Sequence, residues 1–200
     1  MDEKIPKQQT GATTDVSSKI ELETEELAIA HFQTVKKRFL AMNSWELYAG
    51  EEKAEFSLRD GNGEILLEEP KRGDYFCIKT PGLHNKTGDG YDWVQIEHIE
   101  EESDAHNECV YIRVRPCANP TKPDDHVAHF FDPKATSNFL IKRIGREVIA
   151  EVHGRNEVPN NNDVGMIEKV RNNIVALGGM LIASELQWKA LTSGIIKYEE

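Results

Sequence analysis

The sequence predicts an α+β fold in which a curved antiparallel sheet of six to seven strands grips a long C-terminal helix, with a shorter helix near the N-terminus. Two observations predict it. Residues Val164 to about Leu191 form an uninterrupted amphipathic segment with the apolar spacing of one helical face. Its apolar positions are Ile167, Val170, Ile174, Leu177, Leu181, Trp188 and Leu191. Most of the preceding chain consists of short segments that alternate with period two and are joined by turns, as antiparallel strands are.

The N-terminal elements follow from composition and capping. Residues 1–18 contain almost no large apolar side chains, so we expect a disordered tail. Deletion of residues 1–14 is expected to leave the melting temperature almost unchanged. Ile20 and Leu22 then alternate with charged residues as a short strand. Thr24, followed by two glutamates, predicts a helix N-terminus. The expected buried stripe of this helix consists of Ala28, Phe32, Val35, Phe39 and Met42.

The strands follow the first helix. Residues 54–58 and 65–67 flank a turn that contains two glycines, which predicts a hairpin. Further strands are predicted at residues 75–79, 91–99, 108–115, 139–143 and 147–153. Because most links between them are short, we expect a meandering sheet within a single domain, residues 19–193, with residues 194–200 as a C-terminal tail.

Composition narrows the class of protein. The chain has 200 residues, with 24 Lys and Arg against 35 Asp and Glu, for a formal charge of -11. This charge argues against nucleic acid as a partner, because phosphate binding needs a basic surface. Three cysteines without metal-ligand spacing, and no apolar leader or membrane-spanning run, favour a cytoplasmic protein that is not integral to a membrane. No cofactor motif is found, so no cofactor is expected.

A first helix, an antiparallel meander and one long C-terminal helix with its apolar residues facing the sheet resemble the START-like, or Bet v 1-like, helix-grip fold. The resemblance spans roughly Ile20 to Leu191 and rests on element order and length. It implies a sheet curled around the C-terminal helix, with an internal cavity for lipids, polyketides or other apolar ligands. Some members of that family are cyclases or hydrolases, but no catalytic residues of theirs match here.

Period-two alternation divides two strands into faces but does not say which face is internal. In residues 108–115, Val110, Ile112 and Val114 oppose Tyr111, Arg113 and Arg115. In residues 147–153, the mixed face carries Glu151 and His153. If the aliphatic faces are internal, the charged residues form a solvated outer surface. If the mixed faces are internal, Arg113 could bind a ligand carboxylate and His153 could act as a general base.

The leading functional hypothesis is a protein that binds an apolar or amphipathic small molecule between the sheet and the C-terminal helix. Two adjacent glycines inside an apolar helical stripe are locally costly and suggest a bend or the close approach of a ligand or backbone. Aromatic residues, Phe130 among them, are candidates for the lining or for ordinary core. The predicted ligand-binding residues are Phe76, Trp93, Arg113, Phe139, His153, Gly178, Gly179 and Trp188.

Two alternatives come from other classes. One is an enzyme of cyclase or hydrolase type, with His153 or His129 as base and Arg113 or Arg115 stabilising an anion. The other is a protein-interaction module without a pocket, and a homodimer is left open. His126, His129 and Asp132 are metal-ligand types, but residues three apart on a strand face opposite ways, so no metal site is expected.

Overall fold

The protein is described here by a computed structural model covering residues 4–50, 54–79, 85, 87–122, 126–160 and 174–199, with side chains of the last helix described from residue 185 onward. The predicted α+β architecture is confirmed. The strands are β1 (Ala12–Glu21), β2 (Glu55–Arg59), β3 (Tyr75–Lys79), β4 (Asp92–Ser103), β5 (Asn107–Pro116), β6 (Thr136–Ile144) and β7 (Glu147–Glu157). The helices are α1 (Glu25–Leu40), a 3-10 helix (Met42–Leu47) and α2 (Ile174–Ile195).

The seven strands form one antiparallel sheet in the order β1-β7-β6-β5-β4-β3-β2. Strands β2 to β7 are a meander, and β1 joins it at the far edge beside β7. Both helices pack on one side of the sheet, which we call the inner face, and the opposite side is the outer face.

Helix α1 begins where the sequence predicts. The Thr24 hydroxyl oxygen accepts a hydrogen bond from the Leu27 amide (3.2 Å), which satisfies one of the free amides of the first turn. Four of the five predicted stripe residues, Ala28, Phe32, Val35 and Phe39, are buried in α1, and Met42 is buried at the start of the 3-10 helix. These buried residues therefore attach α1 and the 3-10 helix to the inner face.

The predicted strand at residues 65–67 is wrong. Ile65 makes a single bridge to Arg59, whereas β2 takes β3 as its partner. Ile65 and Leu67 are 55% and 90% exposed, so their alternation buries nothing. The turn itself closes tightly, because the Asp60 carboxylate accepts the amides of Asn62 and Glu64 (both 2.9 Å).

The disordered tail predicted for residues 1–18 is corrected by β1, which begins at Ala12. Pairing with β7 satisfies the backbone of this polar segment, which composition alone cannot reveal. The residues before it cross the outer face. Ile5 packs against Cys109, Tyr111 and Leu140, and the Tyr111 hydroxyl donates to the Lys4 carbonyl (3.0 Å).

Deleting residues 1–10 should therefore destabilise the protein. Loss of the Ile5 contacts and of the hydrogen bond to Lys4 should cost about 1 to 2 kcal/mol, which lowers the melting temperature of a chain this size by a few degrees. Calorimetry checks this, with Ile5→Ala as the variant that isolates the packing contribution. An unchanged melting temperature would show that the segment contributes nothing to stability.

Helix α2 ends later than predicted, at Ile195 rather than about Leu191. Its predicted beginning at Val164, with Ile167 and Val170, lies outside the described residues. The segment expected to be a C-terminal tail is packed instead: Ile195 and Ile196 are buried, and the Tyr198 ring meets His31 edge-on at 5.0 Å. The Arg38 guanidinium fixes this end by donating to the carbonyls of Ile195 (3.1 Å) and Lys197 (2.6 Å).

Gly194 permits a close approach between α2 and the end of the 3-10 helix. A Cβ built on it would lie 2.3 Å from the Tyr48 carbonyl oxygen. Gly194→Ala should destabilise the fold by about 1 to 3 kcal/mol, although alanine favours a helix, because the backbone of Tyr48 must move. Chemical unfolding measures this. Gly61→Ala is the control, since its Cβ would be 3.9 Å from the nearest side-chain atom; equal stability of the two variants would contradict the prediction.

Candidate ligand-binding face

The aliphatic faces of β5 and β7 lie on the inner face of the sheet. Val110, Ile112 and Val114 are buried in the same cluster as residues of α1 and α2, and so are Val148, Ala150 and Val152. Of the two orientations that alternation allows, this one places uncharged side chains against the helices. It avoids the large cost of burying charge in the core.

Five aromatic side chains meet on the inner face, and we call them the aromatic group: Trp45, Phe56, Phe76, Phe139 and Trp188. Trp45 is at the centre, with ring centroids 5.1 Å from Phe139, 5.4 Å from Phe76 and 5.9 Å from Phe56. Phe139 meets Trp188 at 5.4 Å, edge to face. Such contacts add about 0.5 to 1.5 kcal/mol per pair beyond burial.

The aromatic group includes three predicted ligand-binding residues, Phe76, Phe139 and Trp188. Phe76 and Phe139 are fully enclosed. Trp188, on α2, retains 9% exposure, the most in the group, and we call it the rim of the aromatic group. Trp45 was not predicted for the site, because its 3-10 helix carries no periodic pattern. Its indole donates to the Phe39 carbonyl (2.9 Å), which orients the ring.

Trp93 lies on the other side of the sheet from the aromatic group. It pairs with Cys77, one residue after Phe76, and successive residues of a strand face opposite ways. Trp93 packs in a separate outer-face cluster with Cys77 and Ala128, and its indole donates to the Gly88 carbonyl (3.1 Å). Trp93 therefore does not border the space between sheet and α2.

Arg113 and His153 also lie on the outer face. Arg113 Nε is 3.2 Å from a Glu97 carboxylate oxygen. His153 lies between two carboxylates, with Nδ1 2.5 Å from Asp15 and Nε2 3.2 Å from Glu151. Alternation puts these residues opposite the buried aliphatic set, so they are separated from the aromatic group by the sheet. Arg115, with Nε 2.5 Å from Glu97, shares this outer surface.

Gly178 and Gly179 lie within α2, in its N-terminal half, together with Ile174, Leu177 and Leu181. The surroundings of these five residues lie outside the described part of the structure. The C-terminal half of α2 is anchored by buried Trp188 and Leu191 and by the Ser18 hydroxyl, which is 2.8 Å from Thr192 Oγ1. Of the residues predicted to bind a ligand between the sheet and α2, the described side chains on the inner face are those of Phe76, Phe139 and Trp188.

The loop that carries His129 packs on the outer face, where the Trp93 amide donates to the Ala128 carbonyl (2.8 Å). The buried His129 ring accepts the Phe131 amide at Nδ1 (2.9 Å), and burial lowers its pKa, so the neutral form is favoured. Phe130, named as a lining candidate, stacks on His129 at 4.7 Å. Within the described residues, no three metal-ligating side chains converge.

Glu157 is a buried carboxyl that the sequence did not single out. It accepts a hydrogen bond from the Thr14 hydroxyl (2.9 Å), and burial raises its pKa to about 7 despite this bond and the nearby Arg155. Gly154 makes room for it, since a Cβ there would lie 2.0 Å from the carboxylate. Nothing in the local sequence distinguishes Glu157 from an exposed strand residue.

This pKa has a consequence for stability. Because the pKa of Glu157 is about 7 when folded and near 4.5 when unfolded, the folded state holds the proton more tightly, and the free energy of unfolding should fall as the pH rises between these values. Glu151 and Asp15 raise the pKa of His153 despite its burial. The free energy of unfolding should therefore fall further as the pH rises through this pKa and the ring loses its proton. Glu157→Gln keeps an acceptor for Thr14 and should flatten the profile measured by urea unfolding. An identical slope in variant and wild type would contradict this.

Two cavities in the described part of the structure lie away from the aromatic group. One, of about 260 Å³, lies between α1 and the β4–β5 hairpin, and half of its lining residues are charged, among them Lys36, Glu101 and Glu108. The other, of about 410 Å³, lies between β1 and α2. The aromatic group lines neither of them. No helix in the described part of the chain is long and apolar enough to span a membrane.

Comparison with known proteins finds similarity only in structure. No known family model matches the sequence, and no curated protein matches it. A hypothetical protein from Helicobacter pylori is 14% identical, with 92% of this chain and 88% of that chain covered and a TM-score of 0.49. A protein from Thermus thermophilus is 11% identical over 92% and 97% of the two chains, TM-score 0.41. Norcoclaurine synthase from Thalictrum flavum is 8% identical over 90% and 87%, TM-score 0.31.

Proposed function

We propose that the protein binds an apolar or amphipathic small molecule, lipid-like or polyketide-like, between the inner face of the sheet and α2. The observation that supports this is the convergence of the aromatic group. Its five rings come from five different elements: the 3-10 helix, β2, β3, β6 and α2. They pack together in one apolar cluster, and its most exposed member, Trp188, lies on the helix predicted to cover the ligand.

The chemistry of this surface selects an apolar ligand. The aromatic group packs among buried aliphatic side chains of the sheet and both helices. Binding there gains roughly 25 cal/mol for each Å² of apolar surface removed from water. Aromatic rings also offer both faces and edges to a flat or unsaturated ligand.

The position of the glycine pair sets the length of such a ligand. Gly178 and Gly179 precede Trp188 by ten and nine residues, which corresponds to about 14 to 15 Å along the helix axis. A ligand extended along α2 from the rim of the aromatic group would reach the glycines with a chain of this length. That matches a medium-length acyl chain or a fused-ring polyketide better than a small metabolite.

Titration with Nile red, an uncharged apolar dye, tests the proposal. Wild-type protein should take up the dye saturably and shift its emission to the blue, and Trp188→Ala should weaken uptake. Leu47→Ala is the control, because Leu47 also has an apolar side chain, is 67% exposed and lies outside both the aromatic group and the cavities described above. Wild-type protein that takes up no dye would overturn the proposal, as would equal weakening by both variants.

We do not extend the proposal to catalysis. The enzyme alternative relied on His153 or His129 with Arg113 or Arg115. The three outer-face residues are across the sheet from the aromatic group, and His129 is enclosed in its loop. An acid–base pair needs hydrogen-bond reach of the bound ligand, which these positions do not provide for a molecule on the inner face.

A further inference from the structure

The free edge of β1 carries backbone groups that point away from the sheet. Among the described residues, β1 is a terminal strand whose one strand partner is β7. The Leu22 amide donates to the Arg146 carbonyl across this pair (3.0 Å), so in the same register the even-numbered residues of β1 direct their N–H and C=O towards β7. Antiparallel pairing then directs those of Asp15, Ser17 and Lys19 to the open edge.

A groove lies beside this edge. It has a volume of about 410 Å³ and is lined by Asp15, Val16, Ser17, Glu185, Leu186 and Lys189. Leu186 is largely exposed there, and Lys189 Nζ donates to the Ser17 carbonyl (2.5 Å) and to Ser18 Oγ (3.0 Å). A ten-residue edge strand with open backbone groups is a template for another strand.

We propose that this edge pairs with the same edge of a second copy of the chain, antiparallel, about a twofold axis at Ser17. Ser17 then faces its own counterpart, and Asp15 faces Lys19 of the second copy. All of these residues direct their backbone groups outward, so every position from 15 to 19 pairs in a regular ladder. The two sheets become one sheet of fourteen strands, seven from each copy.

The charges along β1 favour a second copy of the chain as the partner and fix the register of the pairing. On the outer face Lys19 pairs with Glu147 (2.8 Å), and Asp15 pairs with His153 (2.5 Å) and Arg155 (2.7 Å). The proposed register joins these pairs into a row of alternating sign across the interface. A shift of two residues places Asp15 opposite either Ser17 or Glu21, which loses the attraction or creates repulsion.

The inner face also fits a second β1. Val16 lies opposite Ser18 of the second copy, so a small residue faces the larger one, and the two Leu186 side chains are covered. Lys189 keeps its bond to Ser18 Oγ, and the Ser17 carbonyl has a second lone pair for the ladder. Glu185, one helical turn before Lys189, offsets the two ammonium groups near the axis.

Cysteine cross-linking tests whether the two β1 edges pair and in which register. Ser17→Cys places two thiols on the axis, with Cα atoms about 5.5 Å apart, within the range of a disulfide. Thr13→Cys is the control, because its exposed side chain lies outside the ladder of residues 15–19 and its two copies lie about 26 Å apart in this register. Native Cys77 and Cys109 are buried, and Cys117 is partly so. We expect a covalent dimer on mild oxidation of the first variant and almost none with the second.

Sedimentation of the protein without engineered cysteines completes the test. Wild type should show a concentration-dependent monomer–dimer equilibrium. Ser17→Pro removes an outward N–H at a position where an edge strand tolerates proline, and should weaken dimerisation by about tenfold or more with an unchanged circular dichroism spectrum. Wild type that stays monomeric at millimolar concentration would overturn the proposal. So would equal cross-linking of the two cysteine variants, which would indicate a dimer through another surface.

Discussion

Replacing Arg143 with methionine is expected to lower the free energy of unfolding by about 3 to 5 kcal/mol. The Arg143 side chain is almost fully buried, and its Nε donates to the Glu108 carboxylate at 2.6 Å. Its other nitrogens reach Glu25 (3.2 Å) at the start of α1 and the carbonyls of Ala105, His106 and Gly145. Methionine leaves these acceptors without their donor, and the half-buried Glu108 without its counter-ion.

Arg146→Met is the matched control for this variant. Arg146 lies three residues away, is 53% exposed at its side chain and pairs with the equally exposed Glu21. Exposed ion pairs contribute about 1 kcal/mol or less. Urea unfolding of both variants measures the difference, and a loss at Arg143 no larger than that at Arg146 would show that the buried network does not stabilise α1 on the sheet.

The second large effect is expected at Trp45. Trp45→Ala removes the ring that contacts Phe56, Phe76 and Phe139 and leaves a cavity at the centre of the aromatic group, at a cost of about 3 to 5 kcal/mol. Leu47→Ala, in the same 3-10 helix but 67% exposed, should be nearly neutral. If both substitutions had similar small effects on the unfolding midpoint, the aromatic group would not be the packing centre of the inner face.

The positions of the elements were largely readable from local signals. Thr24 with its following glutamates marks the start of α1, and the stripe from Ala28 to Phe39 marks its buried side. Strands β3 to β7 appear where alternation places them. The prediction of a strand at residues 65–67 is wrong because Ile65 and Leu67, which alternate as the buried residues of a strand do, are both exposed.

The arrangement of the candidate site depends on contacts between residues that are far apart in the sequence. Period two shows that Arg113 and Tyr111 share a face but does not show which face meets the helices; the aliphatic set opposite them decides that. β1 extends to Ala12 because β7 supplies hydrogen bonds from residues about 140 positions away. The burial of Arg143 and Glu157 likewise depends on the partners that surround them, so a single sequence carries no signal for either.

The most direct test of the proposed ligand site uses ¹⁹F NMR of protein labelled with 5-fluorotryptophan. The three tryptophans report on different places: Trp188 on the rim of the aromatic group, Trp45 at its centre and Trp93 on the outer face. Addition of a medium-length fatty acid should shift the Trp188 signal most and leave that of Trp93 unchanged. A shift confined to Trp93, or no shift of any of the three signals, would contradict binding between the sheet and α2.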